Sequence, residues 1–138
     1  MNRRLALALV LIAFTCQSCL SQARKAADTL LDDYVKATAP PTARESSARR
    51  MRASLDELDK RVRGLPNEVP KEFVERYRRL LDATRALIAE PRDQDSETRL
   101  REYVKSITGA VPSEKEMIPA SADAFLTEIA RLRALLRK

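Results

Sequence analysis

The side chains with chemistry to offer are two cysteines, Cys16 and Cys19, three carboxylate clusters, Asp32-Asp33, Asp56-Glu57-Asp59 and Glu114-Glu116, and three arginine runs, Arg49-Arg50-Arg52, Arg61-Arg63 and Arg76-Arg78-Arg79. Cys-x-x-Cys spacing supplies half of a zinc site, but the chain has no further cysteine and no histidine to complete it. Without histidine, a Gly-rich phosphate loop or a G-x-S-x-G elbow, the usual general base and most activated nucleophiles are missing. No enzymatic activity, no catalytic residue, no metal and no cofactor is therefore expected. Paired carboxylates could still exchange protons. Adjacent helical residues, however, point about 100° apart, which separates Asp32 from Asp33, and Asp56 and Asp59 fall opposite an apolar stripe. These clusters read as solvated surface charge.

The arginine runs have the charge to hold nucleic acid, anionic lipid or an acidic protein. They are interleaved with Glu45, Asp56, Glu57, Asp59, Glu72, Glu75 and Asp82. The field is mixed, and pairs at helical spacing, Glu57 with Arg61, Glu72 with Arg76 and Glu75 with Arg79, account for most of it. Nucleic acid is not an expected partner. Over the whole chain, 26 basic residues stand against 20 acidic ones, a formal charge of +6.

The start of the chain carries the clearest address. Arg3 and Arg4 precede an apolar run from Leu5 to Phe14, too short for the roughly 20 apolar residues of a spanning helix. A positive n-region followed by a short apolar h-region is an export signal. Residues 1–19 resemble a bacterial lipoprotein signal: Ser18 is small, Thr15 to Ser18 are uncharged, and Cys19 follows. That resemblance implies lipidation of Cys19 as the first residue of the processed chain. The pattern departs from the family at Cys16, where an apolar residue usually stands. A second reading takes Ser21 and Ala23 as an A-x-A-like site, with cleavage after Ala23 releasing a soluble protein. Both stay open on the sequence, which divides into a signal segment, 1–23, and one helical domain, 24–138, of a size that supports a single core.

The elements of that domain follow from two glycines, Gly64 and Gly109, and from apolar steps of three and four with no period-two alternation. A first helix is expected over about 22–37, with Ala27, Leu30, Leu31, Tyr34 and Val35 inward, ending before Pro40. Thr42 and Glu45 form a capping box ahead of Ala48, Met51, Leu55, Leu58 and Val62, and Gly64 stops that helix. Pro70 opens a third, central helix carrying Phe73, Val74, Tyr77, Leu80, Leu81, Thr84, Leu87 and Ile88. Asp95 or Ser96 caps a short fourth, with Gly109 after its last turn. Ser113 and Glu116 cap a brief turn, and Pro119 or Ser121 opens a last helix with Phe125, Leu126, Ile129, Leu132, Leu135 and Leu136 inward.

Short connectors make this an all-α protein, a small antiparallel up-and-down bundle of four or five helices. The aromatics Tyr34, Phe73, Tyr77, Tyr103 and Phe125 fall on apolar stripes and read as core anchors. The expected function is that of a small exported protein on the periplasmic side of the bacterial cell envelope. It acts by binding another envelope protein, by self-association or as an accessory subunit, either attached to the membrane by a lipid on Cys19 or free in the periplasm. The alternative is a soluble periplasmic chaperone or stress protein.

Overall fold

A computed structural model describes residues 3–39 and 47–138, with side chains from Cys19 to Ala39 and from Ala48 onward. Its α-helices are α1 (Arg3–Thr38), α2 (Ser47–Arg63), α3 (Lys71–Leu87), α4 (Gln94–Thr108) and α5 (Met117–Leu136), with a 3₁₀ turn at Glu114–Glu116 leading into α5. The described residues contain no strand. The chain is an all-α bundle. Four helices close a ring in which α1 packs on α2, α2 on α3, α3 on α5 and α5 on α1, while α4 lies outside, against α3 and α5.

Contacts between named residues give the directions. Asp59 meets Arg78 and Asp56 meets Arg85, Asp33 meets Arg61 while Ala37 lies by Ala53, and Asp32 meets Arg133 while Arg24 lies by Arg137, so neighbours in the ring run antiparallel. Helix α4 runs alongside α5 in the same direction, with Tyr103 beside Phe125 and the Ile107 carbonyl near Arg131. The segment from Gly109 to Glu116 carries the chain back to the end where α4 began.

Local chemistry sets the boundaries. No glycine or proline interrupts residues 3–37, and α1 accordingly starts at Arg3, well before the expected position near Gln22. The Thr42–Glu45 capping box lies outside the described residues. Gly64 ends α2 as expected, its N–H donating to the Arg61 carbonyl at 3.1 Å. Pro70 sits just outside α3 as its N-cap, and its carbonyl accepts from the amides of Phe73 and Val74.

The cap of α4 is Asp93, two residues ahead of the expected Asp95. Its carboxylate accepts the Ser96 N–H at 2.7 Å, an interaction that holds Asp93 below the usual carboxylate range, with the Ser96 hydrogen bonds as the leading cause. At the other end Gly109 adopts φ 80°, a left-handed conformation that costs glycine little. The Ser113–Glu116 box forms reciprocally. Pro119 falls in the first turn of α5, where its missing N–H leaves no bond unmade, so the helix begins at Met117.

The core runs through the ring. Tyr34, Phe73, Tyr77, Leu30, Leu31, Leu55, Leu80, Leu81, Leu100 and Leu132 are all fully enclosed. Two residues expected inward are not. Val35 is 44% exposed at the edge of the α1 stripe, and Leu126 is 66% exposed on the outer side of α5. The inner face of α5 is already filled by Phe125, Ile129 and Leu132, and Leu126 is turned about 100° from Phe125.

Candidate functional site

The charged group buried most deeply among the described residues is a carboxylate that apolar periodicity concealed. Ser121, Phe125, Glu128 and Leu132 step by three and four along the inner face of α5, and this register carries Glu128 into the interior at 1% exposure. From α3, Arg76 meets it with both arms of the guanidinium: Nε donates to Oε1 at 2.7 Å and Nη2 donates to Oε2 at 3.0 Å. A third bond runs from Nη1 to Glu72 at 3.3 Å. The Arg76 guanidinium is driven further toward its charged form, first by the hydrogen bond to Glu128. A buried charge is tolerable only when paired and hydrogen-bonded, and a bidentate Arg–carboxylate fork is the geometry that achieves it.

Tyr103 of α4 closes the other side. Its ring lies 5.9 Å from that of Phe125, and its hydroxyl is buried without a hydrogen-bond partner. Burial, followed by the charge of Glu128, pushes its ionisation well above the usual range for tyrosine. Around these groups lies a cleft of about 290 Å³ whose lining includes Glu72, Arg76, Arg79, Tyr103, Glu128 and Arg131. Both Glu128 oxygens are occupied by Arg76, so the pair acts as a strut between α3 and α5.

A second polar chain crosses the ring between α1 and α3. The Thr84 hydroxyl donates to the Leu80 carbonyl at 2.8 Å, which leaves the Tyr34 hydroxyl to donate to Thr84 Oγ1 at 2.7 Å. Tyr77 donates to the Leu30 carbonyl at 2.7 Å. Burial pushes Tyr34 up to about 12 and Tyr77 higher still, because neither phenol can shed its proton without stranding an anion in the core.

The carboxylate clusters of the sequence separate. Asp32 reaches across to Arg133 of α5 at 3.0 Å, while Asp33 reaches the opposite way to Arg61 of α2 at 2.7 Å. Asp56 pairs with Arg85, Asp59 with both Arg63 and Arg78, and Glu116 serves the capping box. Among the described residues no group of three or more Cys, Asp or Glu side chains gathers to hold a metal ion.

Of the three ion pairs expected within helices, Glu72 with Arg76 forms. Arg61 turns instead to Asp33, and Glu75 with Arg79 is absent from the ion pairs of the described residues. The result is an arginine–carboxylate pair on every seam of the ring: Asp33–Arg61, Asp56–Arg85, Arg76–Glu128 and Asp32–Arg133.

Cys19 lies on α1 as a free, exposed thiol one turn before Ala23. Ala23 itself is fully enclosed and opens the core. The side chain of Cys16 lies outside the described residues. No helix among the described residues is long and apolar enough to cross a membrane. No family model matches the chain, and neither a curated protein nor a solved structure is similar to it at a significant level.

Proposed function

We propose that this is a small exported envelope protein, processed and lipidated at Cys19, whose helical body works on the periplasmic side by binding another protein or as an accessory subunit. The observation that carries the choice of Cys19 is the place of Ala23. Cleavage after Ala23 would delete a residue with 0% exposure from the core and put the charged amino terminus on half-buried Arg24, one turn before the enclosed Ala27. Cleavage before Cys19 leaves the core whole and places the modified residue on an exposed turn. Losing an enclosed side chain from the edge of the core costs more than leaving one exposed turn of helix in front of it.

A binding role is supported by the outer side of α5, where Ile118 and Leu126 stand 64% and 66% exposed. Isolated exposed apolar residues are ordinary, but two large ones about two turns apart on one helix suit a partner surface. Mass spectrometry of the protein recovered from the envelope fraction tests the processing: an acylated amino terminus at Cys19 is expected, and an unmodified terminus at Arg24 refutes it. Crosslinking in intact cells tests the role, with a partner captured by the parent chain and lost from Ile118→Ser/Leu126→Ser.

A further inference from the structure

A group of cations gathers at the end of the bundle from which α1 runs back toward Cys19. There Arg24, Lys25, Arg133 and Arg137 line one cleft of about 380 Å³, with Asp28 as the single acid of its lining. Arg133 is held by Asp32. Arg24, Lys25, Arg137 and Lys138 engage no carboxylate among the ion pairs of the described residues. At the far end, the cleft near the start of α4 gathers Glu90, Glu97 and Glu114 about one arginine, Arg92.

Arg137 and Lys138 answer the negative end of the α5 dipole, a common arrangement. Arg24 and Lys25 have no such reason. In a chain that begins at Cys19 they lie near the amino-terminal end of α1, where the helix dipole offers cations no stabilisation.

Cys19 precedes Arg24 by five residues on that helix, a rise of about 7.5 Å. A lipid on Cys19 would therefore hold these cations within about one Debye length of the headgroups at physiological salt. Within that range Lys and Arg are attracted by an anionic surface, most strongly where they come closest to the headgroups. Resting on the lipid-anchored reading above, we propose that the end of the bundle bearing Arg24, Lys25, Arg137 and Lys138 docks on an anionic lipid surface. Docking in this orientation turns the outer side of α5 sideways and the α4 amino-terminal end away from the membrane, leaving both open to a protein partner.

The test reconstitutes the full chain by detergent removal with vesicles of phosphatidylcholine alone or mixed with phosphatidylglycerol. Binding is followed by sedimentation across a salt series, and the docked face is mapped by hydrogen exchange. Anionic vesicles should slow exchange over 64–71 and 108–112, the loops at this end, and neutral vesicles should not. Arg24→Gln/Lys25→Gln/Arg137→Gln/Lys138→Gln should weaken the anionic preference by at least about 30-fold at low salt and erase that footprint. The far-end variant Arg49→Gln/Arg50→Gln/Arg92→Gln/Lys115→Gln should retain both.

Equal losses in the two variants, or an anionic preference without the footprint, would overturn the proposal. Acylation of Cys19 is read separately by mass. An acylated chain that shows no preference for anionic vesicles would therefore refute the docking while leaving the anchor intact.

Discussion

The Arg76–Glu128 strut makes an asymmetric prediction. The Glu128 side chain is 2% exposed, while that of Arg76 is 25% exposed and has Glu72 as a second partner. Arg76→Met would strand a carboxylate inside the ring with no cation to satisfy it. Breaking a buried pair from that side costs roughly 3–5 kcal/mol, a large part of the 5–15 kcal/mol by which domains are usually stable. Glu128→Met leaves an arginine that can turn toward solvent and Glu72, so its cost should be smaller, about 1–2 kcal/mol. The double variant removes both charges and fills the seam with apolar volume, which should return stability to near the parent value or slightly above it. Urea unfolding followed by far-UV circular dichroism measures all three. With a slope of about 1–3 kcal/mol per molar, Arg76→Met should lower the midpoint by roughly 2 M. The reasoning fails if the two single variants cost the same, or if the double variant sits at the sum of the singles.

The buried phenols supply a second comparison: Tyr77→Phe loses its bond to the Leu30 carbonyl and should cost about 1 kcal/mol, whereas Tyr103→Phe, removing a hydroxyl without a partner, should cost nothing or stabilise slightly. Stability should also fall at alkaline pH. The folded state raises Tyr34 to about 12 from the ordinary 10, so the unfolded chain releases that proton first; the contribution is complete below about pH 10 and drains away as pH rises toward 12. Chemical unfolding across that window should show the decline, and it should be shallower in Tyr34→Phe. The two glycines should separate as well. Gly109→Ala, at φ 80°, should lower stability by about 1 kcal/mol, while Gly64→Ala, whose added Cβ meets only the Arg61 and Lys60 carbonyls at 3.6 and 3.8 Å, should be neutral or mildly stabilising.

Much of the fold is written in local signals. Gly64, Gly109 and the Ser113–Glu116 box act within a turn of themselves, so their effects can be read without knowing what packs nearby. The apolar stripes of α2 and α3 are equally local, and their placement follows. Boundaries slipped where neighbouring polar residues compete: Asp93, Asp95 and Ser96 can each cap a helix, and only the observed 2.7 Å bond selects Asp93. Leu126 stands outward because hydrophobicity identifies a candidate for burial without saying which side of an apolar helix the ring already fills.

The candidate site was harder to see for a different reason. Glu128 looks like one acid among twenty, and Arg61 has an acid four residues away to pair with. What gives each its role is a residue far along the chain, Arg76 for the one and Asp33 for the other. The one visible hint was periodicity, since position 128 falls where the inner stripe of α5 should carry an apolar side chain.

Those distant pairs give the arginine-rich composition a physical purpose in register. The helices of the ring present Leu and Ala at steps of three and four, and apolar ridges of that kind can slide by one turn, about 5.4 Å, and still interlock. A slide of α5 against α3 by that amount would move Glu128 out of reach of both arms of Arg76. The same slide would part Asp32 from Arg133 at the neighbouring seam. The slipped bundle keeps most of its apolar contact but leaves a carboxylate unpaired at 1% exposure, at a cost of several kcal/mol. Lysine would resist the slip less, because a point charge lacks the two-pronged geometry that Arg76 brings to Glu128. In a ring this small, one buried fork can thus separate the native alignment from its nearest competitor by a margin comparable to much of the total stability.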